Sequence, residues 1–180
     1  ITFTESVNVV TTNGTPILTL ETGGSDALVN YSSGSGSNTL IFNYTVASGH
    51  ISTDLDYVST SALALNSGTI KDLEGNTAIL TLASPGASGS LGANKALVID
   101  GIIPTVTNVT STSNNGTYKL ADVVPITVTF SEAVTVSSTP QLTLETGLSD
   151  AVVNYTSGSG STTLTFNYTV AAGHVSSDLD

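Results

Sequence analysis

The feature that most constrains this chain is a long internal repeat. Thr15 to Asp56 aligns without gaps on Thr139 to Asp180 at an offset of 124. Of the 42 paired positions 9 differ, most of them mildly, as Leu28 against Val152 and Ile51 against Val175. The match continues upstream in a shifted register. Phe3-Thr4-Glu5-Ser6-Val7 pairs with Phe130-Ser131-Glu132-Ala133-Val134 at an offset of 127, so the first copy carries three extra residues near Thr11 to Gly14. Solenoid coils repeat at about 20–30 residues, and no such period exists within the 124. A period of this length is that of a small domain, and near-identity between neighbours marks a tandem array.

The phase of the repeat sets the expected domain boundaries. Residues 57 to 127 occur once, and the junction falls in Val98-Ile99-Asp100-Gly101-Ile102-Ile103-Pro104, where a strand pattern gives way to Gly and Pro. This reading gives a first repeat over 1–101 without its opening strand, a linker at 102–104, and a second repeat over 105–180 without its closing strands. Incomplete sheets leave unpaired edges. The expectation is therefore a piece of a longer array, or subunits that complete one another's sheets by strand addition into a filament or homopolymer.

Local patterning is that of an all-β protein. Leu164-Thr-Phe166-Asn-Tyr168-Thr-Val170 alternates apolar and polar residues strictly, and its twin Leu40 to Val46 does so apart from Ile41. Ile126 to Phe130, Leu142 to Leu144 and Ile79 to Leu82 repeat the pattern, and Ala96 to Ile99 reads as a more buried strand. Ser33-Gly34-Ser35-Gly36, Asn66-Ser67-Gly68, Glu74-Gly75-Asn76 and Asn114-Asn115-Gly116 punctuate the runs as turns. Helix has almost no place, although Ser59 to Leu65 has room for one turn. Seven or more short strands per repeat predict an immunoglobulin-type sandwich.

Charge and composition narrow the partners. With three Lys and Arg against fourteen Asp and Glu, the chain carries a formal charge of −11, which leaves nothing to neutralise phosphates. Nucleic acid and anionic membrane surfaces are poor partners, and no apolar run approaches the roughly 20 residues of a membrane-spanning helix. Cys, Met and Trp are absent. A chain with no oxidisable sulfur suits exposure outside the cell, and the opening on a strand-like pattern at Ile1 contains no signal peptide.

Four segments carry a family resemblance: Ile126-Thr-Val-Thr-Phe-Ser-Glu-Ala-Val134 followed by Thr139-Pro-Gln-Leu-Thr-Leu-Glu-Thr-Gly147, together with Lys71-Asp-Leu-Glu-Gly-Asn76 and the junction Val98 to Val109. These closely resemble bacterial immunoglobulin-like (Big-type) tandem repeats of large, RTX-like surface adhesins. The resemblance implies a Greek-key sandwich, secretion to an extracellular or cell-surface location, and calcium near domain junctions in several relatives. It implies an extender or spacer role in a large adhesin or surface fibre, with neighbouring copies of the repeat as partners and any glycan or protein ligand elsewhere in the full-length protein. The alternative is a module that itself binds a glycan or a protein.

Hard cations need clustered carboxylates and carbonyls, so the candidate calcium ligands are Asp54, Asp56, Asp72, Glu74, Asn76 and Asp100. Asp54-Leu55-Asp56 is a D-x-D repeated at Asp178-Leu179-Asp180, while Asp72, Glu74 and Asn76 share one turn and Asp100 marks the junction. The bland alternative is that Asp and Asn are what tight turns use. Neither an EF-hand loop nor a Gly-Gly-x-Gly-x-Asp nonapeptide occurs. No catalysis is expected. The two histidines, His50 and His174, are one loop position in two copies, and there is no nucleophile elbow or phosphate-binding loop.

Overall fold

A computed structural model describes residues 1–179, and the chain divides into two compact units between Ile103 and Pro104. In the first unit β1 (Thr2–Val10), β2 (Ile17–Leu20), β3 (Ala27–Ser33), β4 (Ser37–Thr39), β5 (Ile41–Phe42), β6 (Ile51–Ser52), β7 (Leu63–Ala64) and β8 (Thr69–Lys71) precede a single turn of helix, α1 (Leu91–Asn94), and β9 (Ile99–Asp100). The second unit contains β10 (Val106–Ser111), β11 (Val123–Val134), β12 (Gln141–Leu144), β13 (Ala151–Ser157) and β14 (Ser161–Thr169). The protein is nearly all β, and every strand pair is antiparallel.

The two copies build the same ladders. Leu18↔Val29 and Leu20↔Ala27 between β2 and β3 recur as Leu142↔Val153 and Leu144↔Ala151 between β12 and β13. Tyr31↔Phe42 recurs as Tyr155↔Phe166, and Val7↔Ser37 as Val134↔Ser161. β13 pairs with β12 through its first half and with β14 through its second, so one strand serves two ladders. Period-two alternation decides the faces: along β14, Leu164, Phe166 and Tyr168 are buried, while Thr163, Thr165 and Asn167 are not. These join Val124, Ile126 and Val128 of β11 with Leu144, Ala151 and Val153 in one cluster. The first unit buries Leu18, Leu20, Val29, Leu55, Tyr57 and Leu63 in one cluster and Val7, Leu40 and Ile70 in a second. Each such side chain contributes about 1.5–3 kcal/mol relative to exposure.

The turn between β3 and β4, and its twin between β13 and β14, depends on local chemistry. The Tyr31 hydroxyl accepts from the Ser35 N–H at 2.8 Å, and the Tyr155 hydroxyl from the Ser159 N–H at 2.8 Å. Each ring also meets its cross-strand phenylalanine edge-on, at 6.1 Å for Tyr31–Phe42 and 6.2 Å for Tyr155–Phe166.

Three expectations are corrected. Ile79 to Leu82 forms no ladder: Leu80 and Leu82 do turn toward the core, but Ile79 is 84% exposed, and the pairing reduces to contacts such as Leu82 N–H to Thr60 O at 2.8 Å. Ala96 to Ile99 is not a buried strand, since Leu97 and Val98 are exposed and only Ile99–Asp100 pairs, with Ile51–Ser52. Ser59 to Leu65 forms a turn leading into β7, whereas the helical turn lies at Leu91–Asn94. Alternation specifies which side chains face inward. A ladder also needs a partner strand, and apolar residues alone do not supply one.

That rule acts on identical sequence in the two copies. Asn167-Tyr168-Thr169 lies in β14, paired with Val123, Val124 and Pro125 of β11. Asn43-Tyr44-Thr45 belongs to no strand among the described residues, and lies beyond Thr2↔Thr39 and the Ile1–Leu40 contacts.

Candidate functional site

The acidic residues fall into separate groups. Asp54 and Asp56 both face the segment that carries α1: a Cβ placed on Gly92 would sit 3.0 Å from Asp56 Oδ2 and 3.5 Å from Asp54 Oδ2. Asp56 is 9% exposed. Its Oδ1 accepts from the N–H groups of Tyr57 at 2.9 Å and Leu91 at 3.2 Å, and its Oδ2 from Gly86 N–H at 3.0 Å. Burial pushes the Asp56 carboxyl up, but donation from the Gly86 and Tyr57 N–H groups, the Ser90 hydroxyl and the Gly92 N–H outweighs it and holds the group below the usual carboxylate value. Asp54 Oδ1 accepts from Leu97 N–H at 3.3 Å. A carboxylate ringed by backbone donors is saturated as an anchor. A cation site needs the opposite surroundings, oxygens pointing inward together.

Ser90 completes this anchor. Its hydroxyl caps α1 by accepting from Ala93 N–H at 3.1 Å and also takes Gly86 N–H at 3.1 Å. Asp56 and Ser90 thus fold an irregular loop by giving its N–H groups acceptors. Asp100 Oδ1 closes a short turn on Ile102 N–H at 3.2 Å. In the second copy, Ser176 Oγ donates to the Asp178 carbonyl at 2.6 Å, and Asp180 lies outside the described residues.

Asp72 and Glu74 are brought together, with a third acid, Glu5, that is distant in sequence. One carboxylate oxygen each from Glu5, Asp72 and Glu74 lies within 4.8 Å of the others. The Asn76 amide holds Asp72 below the usual carboxylate value, aided by the N–H groups of Asn76, Gly75 and Glu74. Asn76 donates to both Asp72 oxygens, each at 2.7 Å, and so orients the carboxylate. Glu5 joins from β1 because β1 pairs with β8 at Asn8↔Lys71, beside the turn. No local sequence signal links residues 67 apart. Glu132, the twin of Glu5, has a buried Oε1 without a hydrogen-bond partner among the described residues.

This cluster gives the calcium expectation a specific test. Three like charges at this spacing repel, so Glu5→Gln is expected to raise the melting temperature slightly in chelator at low salt. If calcium binds here the same substitution lowers it in millimolar calcium, and thermal melts of both proteins in both buffers separate the cases.

Each histidine packs against a tyrosine of its own copy. In each copy the imidazole stacks on a tyrosine, with ring centroids 5.8 Å apart for Tyr44–His50 and 5.7 Å for Tyr168–His174. Each Nδ1 lies 2.9 Å from the tyrosine hydroxyl and accepts a backbone N–H at 3.3 Å, from Ala47 or Ala171. A backbone N–H can only donate, so these contacts fit an unprotonated Nδ1 whose single lone pair is shared between the backbone N–H and the tyrosine hydroxyl. Burial raises the pKa values of both tyrosines above the usual phenol value.

No family model, curated protein or solved structure matches this chain.

Proposed function

We propose that the chain is a stretch of immunoglobulin-like Greek-key repeats acting as a structural extender in a large bacterial cell-surface or secreted adhesin or surface fibre. One observation carries the reading: near-identical sequence closes the same ladders in the same register in two successive units. A module copied in series adds length. Stability then grows as a sum of unit and neighbour terms, and the polar, hydroxyl-rich outer faces keep a long surface soluble without many charges. Calcium enters this reading as a ligand of the acidic turn at Glu5, Asp72 and Glu74.

Arrays of two, four and eight repeats test the proposal by small-angle scattering. The maximum dimension is expected to rise almost linearly, by roughly 30–40 Å per repeat if strands of 9–12 residues run along the axis. A dimension that levels off with repeat number would sink the extender role.

A further inference from the structure

A polar cleft of about 690 Å³ opens in the first unit where β3 parts from the chain that follows β5. The two strands pair at Tyr31↔Phe42 and Ser33↔Ile41, and their ladder does not continue on the other side of Tyr31. From there Ala27 to Asn30 pair with β2, while Asn43, Tyr44 and Thr45 run along the opposite wall. The second unit parts at the same place. There β14 pairs with β13 no further than Tyr155↔Phe166, and Asn167, Tyr168 and Thr169 pair with β11. The parting thus belongs to the register of the repeat, whichever strand lies on the far side of residues 43–45. Asp26, Asn30, Ser32, Asn43, Thr45 and His50 line the cleft, with no cation among them. Asn43 Nδ2 donates to Ser32 Oγ at 2.9 Å and ties the two walls together. Asp26, Asn30 and Thr45 are exposed. His50 is held by its stacking on Tyr44, and with Nδ1 engaged by Tyr44 and Ala47 the neutral ring keeps its Nε2–H as a donor. One neighbour differs between the copies. Gln141 Nε2 donates to Asn154 Oδ1 at 2.9 Å, whereas Asn30 stands opposite Ile17, which has nothing to donate.

We propose that this cleft binds a neutral oligosaccharide. Each sugar hydroxyl both donates and accepts, which suits a wall that mixes carboxylate, amide, hydroxyl and imidazole groups. Asp26 offers two adjacent hydroxyls a charged acceptor, the stronger kind of hydrogen bond. Asn30, Thr45 and His50 supply neutral partners around it. An anionic sugar is disfavoured, because its charge would meet a carboxylate and no Lys or Arg. An extended peptide selects by apolar pockets for alternate side chains, and Leu28 is the only large exposed hydrophobic residue of the lining. The untied Asn30 makes the first copy the better binder of the two. The site goes beyond the extender reading and does not rest on it; a rod of repeats would present weak sites in series and hold a glycan polymer through several at once.

Heteronuclear NMR titration of the whole 180-residue chain tests this. The probes are neutral trisaccharides of glucose, galactose, mannose and N-acetylglucosamine, a sulfated trisaccharide, and the tetrapeptide Val-Thr-Val-Thr. At least one neutral sugar is expected to shift the amides of residues 26–32 and 43–45 with a Kd of about 1 mM or tighter. Asp26→Ala is expected to weaken that binding at least about tenfold, the loss of one hydrogen bond to a charged group, with the melting temperature unchanged. Ile17→Gln, which gives the first copy the residue of the second, is expected to weaken it as well by tying up Asn30. No shift of these amides with any neutral sugar at about ten times that concentration overturns the proposal. Equal binding by Asp26→Ala overturns it too, as does tighter binding of the sulfated sugar or of the tetrapeptide. Array length does not enter these readouts, so a failed sugar site and a failed extender are told apart.

Discussion

Replacing Gly158 with alanine is expected to destabilise the second unit by about 3–5 kcal/mol, enough to unfold a marginal domain. Two costs add. Gly158 sits at φ +109°, where a side chain is strained by about 1–3 kcal/mol. An added Cβ would also lie 2.1 Å from the Thr163 carbonyl oxygen and 3.0 Å from Leu164 Cα. Those obstacles are backbone, and the turn cannot open cheaply. The Ser161 hydroxyl donates to Gly158 O at 2.8 Å and lies 3.0 Å from Thr163 O, while Ser161 N–H also donates to Gly158 O at 3.1 Å. Gly160, in the same turn at φ +82°, would find nothing within 4 Å of its new Cβ. Gly160→Ala should therefore cost only about 1 kcal/mol. Urea melts of both variants separate contact from conformation, and equal losses would show that the close approach to Thr163 does not matter. Gly34→Ala should repeat the large effect in the first unit, where the Cβ would lie 2.1 Å from Thr39 O.

The second large effect belongs to Asp56. Asp56→Ala removes the acceptor of three N–H groups and is expected to cost about 3 kcal/mol at neutral pH, hydrogen bonds to a buried charge being worth about 1.5–3 kcal/mol each before the loop relaxes. Asp56→Asn should lose most of the same stability, because its NH₂ end faces donors that need an acceptor. The pH dependence has a definite sign. The folded carboxyl lies below its unfolded value, so its contribution is complete above the unfolded pKa of about 3.9. It disappears as pH falls through the lower folded value. The gap in unfolding free energy between the wild-type chain and Asp56→Asn should accordingly close in acid. A gap that stays constant from pH 7 to pH 2.5 would mean that the carboxylate charge does not anchor the loop.

Much of the fold was legible because alternation is a local property. Leu164, Phe166 and Tyr168 face inward as their spacing requires, and Gly34 and Gly158 stand at turns where only glycine fits. Pairing is not local. Residues 167–169 form their ladder with Val123 to Pro125, more than 40 residues earlier, and nothing in their own spacing names that partner. The acidic residues show the same division. Asp72 and Glu74 sit in one turn and were found together, while Glu5 came from a strand 67 residues away through β1–β8 pairing. Asp56 read as half of a cation-binding pair. Its neighbours are N–H groups 30 and 35 residues further along, at Gly86 and Leu91, and nothing near Asp56 announces them.

The shared register of the two copies has a consequence for how such a chain reaches its native state. Val7 pairs with Ser37, 30 residues away, yet the twin of that partner, Ser161, lies 154 residues away and offers β1 the same local chemistry. Side chains therefore do little to tell the right partner from the wrong one. Connectivity does: closing the longer loop costs about 1.5 kcal/mol more, a bias of roughly tenfold in favour of pairing within a copy. That margin is modest, and near-identical neighbours are the setting in which inter-domain swaps trap a refolding chain. A protein built this way gains from order of synthesis, in which each copy closes on itself before its double has left the ribosome.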